Sequence, residues 1–162
     1  MAAISLKKLR QTFEIVDTDP DHGLFHVVSK AINMQGGLIS SEVGKIRDNL
    51  AGFLLANRGC FESFVDGDFV EYTSWVKAGR WQGELEIEAL QRMLGYVIEI
   101  YDLQDPSEDV IRYTYEHRPS TKTIRLLRMK GSEYYVLQRK CSFSSDCDWR
   151  MFCKDDRCVS RD

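Results

Sequence analysis

At Val97 the spacing of apolar residues changes period, and this change constrains the fold more than any other feature of the chain. Upstream, apolar residues recur at helical intervals. Ile4, Leu6, Leu9, Phe13 and Ile15, set among Lys and Arg, suggest a short amphipathic helix leading into an extended segment. Residues 24–32 read as a helix buried on most sides, broken by Gln35-Gly36-Gly37. Ser40 and Ser41 are N-cap candidates for a helix over about 42–56, where Val43, Ile46, Leu50, Phe53 and Leu54 share a face. Residues 60–67 form a link with buried aromatics, and helices follow over 68–78 and 84–94. Downstream, 97–101 alternates with a period of two. Further strands are predicted over 110–115, 123–129 and 134–137, the last two joined as a hairpin by Lys130-Gly131-Ser132. A helical half followed by a stranded half predicts an α+β fold, with helices packed on a small, mostly antiparallel sheet.

The 162 residues fit one ordinary domain, and 43% apolar with 29% charged residues supply an adequate core. A net charge of −3 carries no footprint for nucleic acid or an anionic membrane. No apolar run reaches the roughly 18–20 residues that span a bilayer. The stretch Met1-Ala2-Ala3-Ile4-Ser5-Leu6-Lys7-Lys8 has no apolar core of signal-peptide length. The chain therefore reads as cytoplasmic, or as a piece excised from a longer precursor. Cysteines mark one composition boundary. Cys60 stands alone, whereas Cys141, Cys147, Cys153 and Cys158 crowd the last 22 residues, so 1–140 is divided from a Cys-rich tail at 141–162. The tail has no Cys-x-x-Cys pair and no nearby histidine, so no metal or cofactor is expected. Disulfides suit the spacing better, in any of three pairings, and point to an oxidising setting or an assembled particle.

A second constraint lies at 19–30, Asp19-Pro20-Asp21-His22-Gly23-Leu24-Phe25-His26-Val27-Val28-Ser29-Lys30, where a polar turn runs into an apolar helix. A helix N-terminus carries partial positive charge and stabilises a thiolate, so such a junction suits a nucleophilic cysteine. Here it holds Gly23. Further pieces follow in order: Ile46-Arg47-Asp48-Asn49-Leu50 running to Asn57, then Phe61-Glu62-Ser63-Phe64, then Gly79-Arg80-Trp81-Gln82-Gly83. Glu86-Ile87-Glu88-Ala89-Leu90 and Ile98-Glu99-Ile100-Tyr101 complete them. In this order and spacing the chain resembles the OTU (ovarian tumour) family of cysteine deubiquitinases over about residues 10–138. Members of that family carry Asp-Gly-x-Cys-Leu-Phe-x-x-x-Ser at a helix start, Gly-x-Trp-x-Gly before a later helix, and a late strand whose histidine is the general base.

The resemblance makes 1–140 an OTU-like domain and implies a cysteine-protease fold. Carried over residue by residue, the nucleophile position is Gly23, the base position Tyr134 and the orienting position Val136. The family aspartate three residues before the cysteine is Pro20, flanked by Asp19 and Asp21. A thiolate, an imidazole and an orienting group are all required for this chemistry. The resemblance therefore implies a pseudo-protease that is not an enzyme and acts as a protein-binding module. Its expected partner is ubiquitin or a ubiquitin-like protein, held in a groove at Asp21, His22, Gly23 and Tyr134. Two alternatives stand beside it. One is a divergent active deubiquitinase with relocated catalytic groups, Cys60 being the most plausible thiol. The other is a structural assembly subunit, its tail cysteines making links. A viral origin fits the resemblance, and the sequence leaves oligomeric state open.

Other candidates read as ordinary surface or core. His22 and His26 lie near the helix start, and His117 sits in a loop-like run without an evident partner. Glu62, Asp66, Asp68 and Glu71 suit a solvated face. Arg118, Lys122, Arg125, Arg128 and Lys130 suit the polar face of an edge strand. Trp75 and Trp81 are expected in the core or as family structure, and Trp149, in the Cys-rich tail, is a minority candidate for an exposed anchor.

Overall fold

The computed structural model describes residues 3–16, 23–35, 42–81, 83–104, 107–130, 133–140, 151–154 and 157–160. The chain opens with β1 (Ala3–Ser5), α1 (Leu6–Thr12) and β2 (Phe13–Val16). A helical block follows: α2 (Leu24–Met34), α3 (Val43–Ala56), α4 (Arg58–Phe61), a 3-10 turn (Glu62–Phe64), α5 (Phe69–Lys77) and α6 (Glu84–Leu94). Four strands come next, β3 (Val97–Leu103), β4 (Asp109–Tyr115), β5 (Thr123–Met129) and β6 (Glu133–Arg139). A separate two-stranded sheet, β7 (Met151–Lys154) with β8 (Arg157–Ser160), lies in the tail.

The main sheet has the order β1-β4-β3-β5-β6-β2. Only the β3–β5 pair is parallel; the other neighbours are antiparallel. Alternation along the strands feeds two cores. Ile98, Ile100, Ile124, Leu126, Tyr134 and Val136 face a cluster that also holds Leu24, Val28, Ile46, Leu50, Phe69 and Ile87 from the helices. Tyr101, Leu127 and Leu137 face the other side, where Leu9 of α1 and Phe13 cover them. A sheet buried on both faces accounts for the apolar richness of β3 and β5.

Local chemistry sets the helix ends. Asp68 caps α5 by accepting from the Glu71 amide at 3.0 Å. Glu86 turns back to accept from the Gly83 amide at 2.9 Å, and its other oxygen accepts the Tyr72 hydroxyl at 2.7 Å. That buried carboxylate thus starts α6 and ties it to α5. Gly95 ends α6 in the left-handed region at φ 69°, where a Cβ would be strained. Gly79, at φ +77°, lets the Arg47 guanidinium come within 3.0 Å of where a Cβ would stand. Arg47 also lies over the Phe25 ring at 5.7 Å, so it joins α2, α3 and the turn after α5.

Several expectations need correction. Phe64 is 73% exposed, because the 3-10 turn points it away from the core that holds Phe61. Trp81 is 47% exposed and packs beside Trp75 at 6.1 Å rather than entering the core. Arg125 and Arg128 lie on an interior strand, not an edge, and both meet carboxylates from β3. Ser40, Ser41 and Trp149 fall outside the described residues. Among the described residues no helix is long and apolar enough to cross a membrane.

Candidate functional site

The family positions come together around α2 and β6. Gly23 is the N-cap of α2, with φ −66° and ψ 155°, and its carbonyl accepts the first helical bond from Val27 at 3.2 Å. Tyr134 and Val136 lie on β6 and face the same core cluster as Leu24 and Phe25. Tyr134 is only 1% exposed. Burial pushes its phenol above the ordinary range, partly opposed by the Arg128 guanidinium, so it stays neutral and cannot act as a base near pH 7. Asp21 and His22 fall outside the described residues.

Beside Tyr134 lies an ionic network. Arg128 donates from Nε and Nη2 to the two oxygens of Asp102, each at 3.2 Å, and from Nη1 to Glu84 at 3.2 Å. The other oxygen of Glu84 accepts from the Tyr115 hydroxyl. Burial acts to lower the Arg128 pKa, but hydrogen bonds to Asp102 and Tyr134 outweigh it and the pKa is raised. These groups pin β3, β4, β5 and α6 together, which is an architectural role.

A second constellation arises from sheet topology. β4 runs antiparallel to β3, so its end, Tyr115, lies beside Ile98 near the start of β3. β5 runs parallel to β3, so Thr123 lies beside Val97. The connector 116–122 must therefore cross the start of β3. It is held there by the Val97 amide donating to the Lys122 carbonyl at 2.9 Å and by Lys122 over the Tyr96 ring at 5.3 Å. The crossing brings His117 and Arg118 to the end of α6. With Cys60 of α4 and Gln91, Arg92 and Gly95, they line a cavity of about 410 Å³. Cys60 is an exposed free thiol. Arg92 is held by Glu88 at 3.0 Å and lies over the Phe61 ring at 5.5 Å. Gln91 is 2% exposed; its amide nitrogen donates to the Tyr96 carbonyl at 3.0 Å. Its Oε1 is buried with no hydrogen-bond partner among the described residues, a costly state.

Sequence reasoning identified Cys60 and His117 separately and missed that they share a cavity. The two positions are 57 residues apart, and only the crossover joins them. Gln91 was missed altogether, since a glutamine on an amphipathic helix carries no sequence signal of burial. His26 lies elsewhere, its Nε2 3.5 Å from Arg47 Nη2. Among the described residues no group of three or more His, Cys, Asp or Glu could hold a metal ion.

Residues 21–135 match the family profile described as OTU-like cysteine protease. The chain belongs to that family. Solved structures agree on the fold. The OTU domain of OTUD1 superposes with a TM-score of 0.70 at 22% identity, covering 82% of this chain and 90% of that one. The viral OTU domain protease from Dera Ghazi Khan virus gives 0.64 at 22% identity, covering 85% and 86%. The Hazara virus OTU bound to ubiquitin gives 0.67 at 17% identity, covering 87% and 88%. A comparison with curated proteins finds no significant match.

Family membership corrects the expectation, drawn from Gly23, Tyr134 and Val136, that the chain is not an enzyme. The matched family is one of cysteine proteases, and the similar structure from Dera Ghazi Khan virus is a protease. The physical error was to equate one set of positions with the chemistry. Gly23 removes a side chain at one helix start only, and Cys60 and His117 line one cavity elsewhere in the same domain.

Proposed function

We propose that the chain is an OTU-class cysteine protease acting on ubiquitin-bearing or ubiquitin-like proteins, with its catalytic groups displaced to the cavity of Cys60, His117 and Gln91. One observation carries this reading: the free thiol of Cys60 and the imidazole of His117 belong to residues that line the same cavity, with Gln91 beside them. The substrate class is supported by the family and by the similar Hazara virus domain, which binds ubiquitin.

In this reading His117 takes the Cys60 proton and Sγ attacks the scissile carbonyl. His117 then returns the proton to the leaving amine, and water assisted by the same ring hydrolyses the thioester. Gln91, whose Oε1 has no partner among the described residues of the resting chain, is the group assigned to orient the imidazole once substrate is bound. Arg92 and Arg118 complement the developing oxyanion.

The test is labelling of the full chain by a ubiquitin bearing a C-terminal electrophile. Modification is expected at Cys60, lost in Cys60→Ala, and slowed by about 10²-fold in His117→Ala. Circular dichroism of both variants should match the parent. An unlabelled chain, or labelling that survives Cys60→Ala, overturns the assignment.

A further inference from the structure

The register of the tail hairpin pairs Met151 with Ser160, Phe152 with Val159, Cys153 with Cys158 and Lys154 with Arg157. We propose that Cys153 and Cys158 are joined by a disulfide that staples β7 to β8. Residues directly opposite in an antiparallel pair have Cα atoms about 4.5–5.5 Å apart. Disulfides use Cα separations of about 4.4–6.8 Å. The backbone therefore already meets the distance condition, whichever kind of antiparallel pair the two residues form.

The staple also answers a stability problem. β7 and β8 form a sheet of their own, with neither strand hydrogen-bonded into the main sheet. Two strands alone are marginal in water. The register moreover sets two cations, Lys154 and Arg157, against each other, which disfavours an unlinked hairpin. A covalent bond across the next pair restricts the unfolded tail and holds the strands in register. The sequence alone left three pairings of the four tail cysteines open; the register selects one partner for Cys153.

The chemistry is thiol–disulfide exchange with a low-molecular-weight or protein disulfide as oxidant. One cysteine thiolate attacks that disulfide and releases one thiol. The other then attacks the mixed disulfide and releases the second. The two cysteines lose two protons and two electrons, and the oxidant becomes two thiols.

Sequence makes the test sharp. Trypsin cleaves after Arg150, Lys154, Arg157 and Arg161, so Cys153 and Cys158 fall in separate short peptides, while Cys141 and Cys147 share a third. The full chain is equilibrated with oxidised glutathione, alkylated and digested without reductant. The expected product is peptide 151–154 linked to peptide 158–161, with Cys60 outside that linkage. The same link is expected in the Cys141→Ser/Cys147→Ser variant. Peptide 151–154 linked to the peptide carrying Cys141 and Cys147, or alkylation of both Cys153 and Cys158, overturns the proposal.

Discussion

Arg128 stands where three strands and a helix meet, and its loss leaves Asp102 and Glu84 without their shared cation. Removing one partner of a buried ion pair costs about 3–5 kcal/mol, because the remaining charge stays desolvated. Arg128→Ala is expected to lower the unfolding free energy by about 3 kcal/mol in urea denaturation, toward the low end because Glu84 faces solvent. The exposed Arg58–Glu62 pair is the control, and Arg58→Ala should leave the urea midpoint unchanged. At this scale even a local role escaped the sequence: Asp68 reads as part of a solvated face, yet its carboxylate caps its own helix. The sequence was misleading too where the partner is distant. Arg125 and Arg128 looked like solvated cations because Glu99 and Asp102, their partners, sit on a strand 26 residues earlier.

The elements followed from periodicity wherever they are long. α6 occupies the expected 84–94, β5 the expected 123–129, and α3 differs from expectation only at its first residue. The four-residue α4 is too short to show a period, so the segment carrying Cys60 read as a link. The tail strands were hidden by their cysteines, which drew attention to covalent pairing rather than to alternation. The start of α2 remains informative. Gly23 has an extended conformation open to any residue, and the positive end of an 11-residue helix lies just beyond it. Gly23→Cys should therefore give a thiol more acidic than the ordinary 8.5 or so. Its alkylation by iodoacetamide, in a Cys60→Ala background, should persist to lower pH than that of a free thiol. An unshifted pH–rate profile would show that the helix start exerts no such field.

Across the whole molecule, buried tyrosines set an alkaline limit. Tyr72, Tyr101 and Tyr134 are all raised above the ordinary value, first by burial; Glu86 and Glu99 add to it for Tyr72 and Tyr101. Above about pH 10 the unfolded chain releases phenolic protons that the folded chain keeps. Stability is then full below that pH and falls as pH rises further. Urea midpoints measured from neutral to strongly alkaline pH should be flat and then decline; a flat profile throughout would contradict this burial.

The connector over the start of β3 adds a condition on timing. His117 reaches the cavity of Cys60 only when β3 lies between β4 and β5 and the parallel pair has closed. Parallel pairing joins distant stretches of chain and forms slowly. On the proposed assignment, a nascent or half-folded chain carries a thiol but no protease, and cleaving power is switched on by completion of the sheet itself.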